Sequence, residues 1–128
     1  MANELKRVLH VEDDPDIQAV AKIALETVGG LEVLMCSGGA EALGAVEAFN
    51  PDIVLLDVMM PGMDGPATLK ALQAMPAVAH IPVIFITAKT QAREVSWFLE
   101  LGAKGIIPKP FDPMTLAAQV RKIWEQNL

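Results

Sequence analysis

At 128 residues and 52% hydrophobic, the chain has the size and composition of one domain around one sizeable core. Its formal charge of −6, with no Lys/Arg cluster, argues against binding nucleic acid or an anionic membrane through bulk charge. The lone Cys36 cannot form an internal disulfide and fits a reducing compartment, so a soluble cytoplasmic protein is expected.

Arg7–Val11 reads as a strand running into Glu12-Asp13-Asp14-Pro15. A helix follows, with Ile17, Val20, Ala21, Ala24, Leu25 and Val28 on one face, and Gly29-Gly30 ends it. Leu31–Cys36 is a second strand, and Gly38-Gly39 opens onto a helix over Ala40–Phe49 with Leu43 and Val46 inward. Asn50-Pro51 breaks that helix. Asp52–Asp57 is the most apolar strand, and its unbroken Ile53-Val54-Leu55-Leu56 run predicts burial on both faces, as in the centre of a parallel sheet. After the turn Pro61–Gly65 come a helix over Pro66–Met75, a strand over Ile81–Ile86 and a helix over Gln91–Leu101 closed by Gly102. Lys104–Ile107 is a short fifth strand, and Asp112-Pro113 caps a last helix carrying Leu116, Val120, Ile123 and Trp124. Repeated strand–helix units predict a single doubly wound α/β domain, a parallel sheet with helices on both faces. The N-terminus lacks the apolar stretch of a signal peptide, and no apolar run approaches the roughly 18–20 residues that span a bilayer.

In such a sheet the carboxyl ends of neighbouring strands share one edge, where ligand sites gather. The first strand delivers Glu12 and Asp13 to that edge, the third Asp57, the fourth Thr87, and Lys109 follows the fifth. A carboxylate such as Asp57 can attack a phosphoryl group to form an acyl phosphate. Three crowded acids call for a bound cation, and hard oxygen ligands suit Mg²⁺ held by Glu12 and Asp13, which would also screen an incoming phosphoryl group from Asp57. The Thr87 hydroxyl can donate to a phosphoryl oxygen, and the Lys109 ammonium can neutralise one as a point charge. Asp14 before Pro15, and Asp64 before Gly65-Pro66, suit helix N-caps better than ligands. Lys109–Pro110 is a candidate cis peptide. His10 and His80 have no Cys or His at metal-ligand spacing and read as structural, and Met59, Met60 and Met63 read as adaptable packing or contact surface. Of the adjacent Trp97 and Phe98, one faces the core, and an exposed Trp97 would mark a partner surface.

Together these residues resemble the receiver domain of two-component response regulators, the CheY-like family. The likeness rests on Val-Glu12-Asp13-Asp14-Pro, Leu-Leu-Asp57-Val-Met-Met-Pro61-Gly-Met-Asp64-Gly65, Ile-Thr87-Ala88 and Lys109-Pro110-Phe111, and covers nearly the whole chain. It implies a flavodoxin-like (βα)5 fold with strand order 2-1-3-4-5, residues 1–128 as one receiver domain, and no output domain among them. It also implies Asp57 as phosphoacceptor, with Mg²⁺ held by Glu12, Asp13, Asp57 and the backbone carbonyl of Met59. Thr87, the Ala88 amide and Lys109 would contact the phosphoryl oxygens. The partners implied are a histidine kinase or phosphotransfer protein, and a downstream protein reached through the fourth helix, fifth strand and fifth helix.

One departure stands out: Ile106 occupies the fifth-strand position where many receivers carry a switching Tyr or Phe. Met59 and Lys89 flank the path of an attacking water, positions associated in the family with phosphate lifetime. An aspartyl-nucleophile phosphatase would want a second acid two residues after Asp57, where Met59 stands. A nucleotide carrier would want a Gly-rich first turn, where this chain is acidic. A phosphorylation-independent interaction module is the remaining alternative: the intact acid set argues against it, and Ile106 keeps it open.

Overall fold

The computed structural model describes residues 4–128. The apolar runs form five strands: β1 (Arg7–Val11), β2 (Glu32–Cys36), β3 (Ile53–Asp57), β4 (Val83–Thr87) and β5 (Gly105–Pro108). They make one parallel sheet in the order β2-β1-β3-β4-β5, the flavodoxin-like arrangement. β3 and β4 are buried at every position, which explains why their sequences do not alternate. The helices are α1 (Pro15–Lys22), α2 (Gly39–Phe49), α3 (Gly65–Gln73), α4 (Ala92–Leu101) and α5 (Leu116–Gln126).

Successive side chains of a strand leave on opposite faces, and the core divides accordingly. Val54, Leu56 and Phe85 meet Val46, Leu69, Leu72 and Phe98 on one face. Ile53, Leu55, Ile84 and Ile86 meet Ala24, Leu25, Leu116, Val120 and Trp124 on the other. Each fully buried aliphatic side chain contributes roughly 1.5–3 kcal/mol through removal from water. Those two apolar layers hold the sheet rigid beneath its carboxyl edge.

The first helix departs from the periodic reading. α1 stops at Lys22, and Ile23–Val28 continues as a π-helical turn ending on Gly29, whose amide bonds Ala24 O five residues back at 3.2 Å. The wider turn rotates Val28 outward, to 44% exposure, and Val20 is also outward at 42%. Gly29 lies against α5, where an added Cβ would come within 2.5 Å of Ala117 Cβ. The last helix also begins later than Asp112. The Asp112 carboxylate accepts from Met114 N at 2.9 Å, closing a separate turn, and α5 proper starts at Leu116. Phe98 is buried edge-on to Phe85, with ring centroids 5.2 Å apart, while Trp97 is half-exposed. His10 is fully buried and His80 is exposed. No helix among the described residues is long and apolar enough to cross a membrane.

Candidate functional site

Backbone order at the strand ends sets the site. β1 hands over to Glu12, whose amide extends the ladder to Cys36 O at 2.9 Å. The chain then turns sharply, because Asp14 caps α1 by accepting from Asp16 N at 2.8 Å and Pro15 supplies the first helical residue. That turn brings Asp14 N within 3.0 Å of Glu12 Oε2. Asp57 closes β3. Beyond it, Gly65 N donates to Val58 O at 2.9 Å, and a Cβ on Gly65 would lie 2.7 Å from Asp57 O, so only glycine lets α3 start this close. Asp64 caps α3 through Ala67 N at 2.9 Å. Asp14 and Asp64 therefore serve the helices, and Glu12 and Asp13 are left for the cleft.

β4 ends on Thr87, whose carbonyl accepts from Lys109 N at 2.9 Å. That bond seats the segment after β5, and the Lys109–Pro110 peptide within it is cis. Lys109 Nζ reaches back to Glu12 Oε1 at 2.9 Å and to Asp57 Oδ1 at 3.2 Å. Glu12 and Asp57 are buried and Asp13 is exposed; carboxylate oxygens of the three all lie within 4.8 Å of one another. The Thr87 hydroxyl accepts from Lys89 N at 2.9 Å, which leaves its O–H free to donate. Ala88 is exposed beside this edge, and the Met59 amide faces the Asp57 carboxylate while its side chain points to solvent. Ile106 is half-buried, paired with Phe85 in register and packed on the Phe85–Phe98 side of the core.

Electrostatics sharpen the picture. Burial raises the Asp57 carboxyl above its ordinary range, against the lowering pull of Lys109. Burial raises Glu12 likewise, against its bond from Asp14 N and the Lys109 ammonium. Burial alone would lower Lys109, but the Glu12 and Asp57 carboxylates outweigh it and hold the amine charged. One cation among three acids leaves the cluster net negative. Lys109 also approaches Glu12 Oε1 off the hydrogen-bonding direction, so that buried oxygen has no aligned donor. An acid trio of this kind fits a hard divalent cation such as Mg²⁺.

The structure shows two features that the sequence reading does not include. Gln18 donates from its side chain to the Glu12 carbonyl, at the border of the buried face of α1. An open, mostly apolar groove of about 400 Å³ also runs beside Lys109, lined by Ile17, Val20, Ala88, Pro110 and Phe111. A polar residue next to the inward Ala21 and Leu25 was the available signal for Gln18. The groove joins residues distant in sequence and left none.

Comparisons with known proteins agree with this geometry. The family model "Response regulator receiver domain" matches residues 8–121. The DNA-binding response regulator MtrA of Mycolicibacterium smegmatis is 38% identical over 122 residues, covering 95% of this chain and 52% of the relative. The transcriptional regulatory protein CseB of Streptomyces avermitilis is 38% identical over 120 residues, covering 94% of this chain and 49% of the relative. The chain thus spans about half the length of the curated relatives it matches. Among solved structures, the Vibrio cholerae chemotaxis protein CheY4 superposes with a TM-score of 0.86 at 28% identity, covering 94% of this chain and 99% of that one. A CheY-like receiver domain protein from Methanospirillum hungatei gives 0.81 at 29% identity, covering 97% of each. With a five-stranded sheet in 2-1-3-4-5 order, an acid trio and a lysine at its carboxyl edge, and a family match over most of its length, this chain belongs to the response regulator receiver domains of two-component signalling.

Proposed function

We propose that Asp57 accepts a phosphoryl group from a histidine kinase or histidine phosphotransfer protein, and that the chain signals through protein–protein contact. The observation that carries this reading is Lys109 Nζ within ion-pair distance of both Asp57 and Glu12, beside the exposed Asp13. Asp57 is the nucleophile: its oxygen bonds to phosphorus as the phosphohistidine P–N bond breaks, and the departing imidazole takes a proton. Glu12, Asp13, Asp57 and the Met59 carbonyl would hold Mg²⁺, which when bound offsets the charge gathered between carboxylates and phosphoryl oxygens. Lys109 adds a point charge, while the Thr87 hydroxyl and Ala88 amide donate to the phosphoryl oxygens. The apolar groove beside Lys109 supports docking of the phosphodonor next to the nucleophile. The chain then acts as an acceptor of signal, with no separate substrate to turn over.

Phosphorylation biases a two-state equilibrium that alters the face formed by α4, β5 and α5, where Trp97 and Leu99 are exposed. Ile106 removes the aromatic swing from that relay. Residues 1–128 form the phosphoacceptor unit in this reading, and a separate downstream protein reads its state. A second reading follows from length: MtrA is named as DNA-binding and this chain spans about half of it, so the same switch would drive a region of a longer protein. In both readings the charge of −6 keeps these 128 residues off nucleic acid.

The decisive experiment is labelling with acetyl phosphate in Mg²⁺. Wild type should take up one phosphoryl group and Asp57→Asn none; undiminished labelling of D57N sinks the assignment. Saturable Mg²⁺ binding at millimolar concentration separates this reading from an inert interaction module.

A further inference from the structure

The carbonyl of Glu12 lies where the β1–β2 ladder runs out. Glu12 N still donates to Cys36 O, but β2 ends at Cys36. In a parallel ladder the next amide to donate there would be Gly38 N. Among the described residues no backbone amide bonds Glu12 O, and the intervening Ser37 N donates to the Glu41 carboxylate at 2.7 Å. The strand that should supply a donor therefore does not. Gln18 supplies it: Nε2 donates to Glu12 O at 2.5 Å and lies 3.3 Å from Ser37 Oγ. The residue sits in α1 one turn past the Asp14 cap, its own amide bonded to Asp14 O at 3.0 Å, and is half-buried.

The peptide plane between Glu12 and Asp13 carries the carbonyl of one acid and the amide of the next. Fixing that carbonyl sets the plane, and so the direction in which both carboxylates leave the backbone. A neutral carboxamide does this without adding a cation to compete with a metal ion. We infer that Gln18 is a positioning residue for the divalent-cation site, orienting the Glu12–Asp13 peptide so that both acids converge with Asp57. The inference rests on the receiver reading of the acid trio and assigns a role to a residue outside it. Partners that orient metal ligands from behind typically change affinity by about 10–100-fold when removed.

Gln18→Met tests this, since it keeps the length and helix propensity of the side chain and deletes the donor. Ser37→Ala is the control, because it removes the second contact and leaves the Glu12 carbonyl bond. Mg²⁺ binding to the full chain is read by calorimetry, and thermal unfolding in EDTA by circular dichroism. In Q18M the Mg²⁺ dissociation constant should rise about tenfold with the EDTA midpoint unchanged, while S37A moves neither. Unchanged affinity in Q18M overturns the inference. Weakening matched by S37A, or by a fallen EDTA midpoint, also overturns it, because Gln18 would then be only a structural tie. If wild type itself binds no Mg²⁺, the receiver reading falls and this inference with it; if wild type binds and Q18M binds equally, only this inference falls.

Discussion

His10 and Lys109 are near neighbours with opposite responses to the same edge of the sheet. Lys109 reaches two carboxylates and stays charged, whereas His10 is fully buried and, among the described residues, has no hydrogen-bond partner on either ring nitrogen. Burial, aided by the Lys109 charge, lowers the His10 pKa from 6.5 to about 3. The unfolded chain therefore binds a proton between those values that the folded chain refuses. Stability from this group is complete above pH 6.5 and is lost as pH falls toward 3. Glu12 and Asp57, with raised values, slope the opposite way, since they hold protons in the folded state that the unfolded state has released. His10→Leu removes only the first effect. In EDTA at pH 5 it should stabilise the fold relative to wild type by about 2 kcal/mol more than it does at pH 7.5. Urea unfolding at the two pH values checks this, and an equal difference at both would contradict it.

The elements show where one-dimensional pattern carries information. β3 and β4 were legible because a short, unbroken apolar run between turns suits a strand covered on both faces, and the placement of Glu12, Asp57 and Thr87 at the carboxyl edge was legible because each stands at the end of such a run. The first helix was not, because a 3.6-residue period assumes the helix it measures. The π turn over Ile23–Val28 shifts the residues within it, and Val28 comes to face solvent. The spacing between acids and lysine was not legible either, since it depends on strand register and on the close start of α3 at Gly65. Ile106 was visible as a departure, but its consequence needed the neighbours: it abuts Phe85, which contacts Phe98, which contacts Trp97 at 5.3 Å between centroids. That aromatic row runs from the strand of Thr87 to the α4 surface. Trp97 emission should therefore change on phosphorylation in Mg²⁺, and W97F should lose the change while the buried Trp124 stays silent. A signal that survives in W97F would place the rearrangement elsewhere.

Across the molecule, the site is maintained against stability. Three carboxylates share one edge, two of them buried, and one lysine offsets them only partly. Burying ionised acids is unfavourable unless they are fully paired, and residues kept for function commonly carry such a cost. Asp57→Asn removes one buried charge and leaves the Lys109–Glu12 pair in place. In EDTA at neutral pH it should stabilise the fold by about 1 kcal/mol. The gain should shrink as pH falls, because the raised carboxyl of Asp57 then protonates in the wild type. Mg²⁺ reverses the comparison. A ligand that binds only the folded state at ten times its dissociation constant adds about 1.4 kcal/mol, and the wild type should gain this while D57N gains less. Chemical denaturation of both proteins in EDTA at neutral and at lower pH, and then with Mg²⁺, measures all three effects. A D57N variant less stable than wild type in EDTA would mean that Asp57 holds the fold together through Lys109, and that the acid edge carries no stability cost for metal binding to repay.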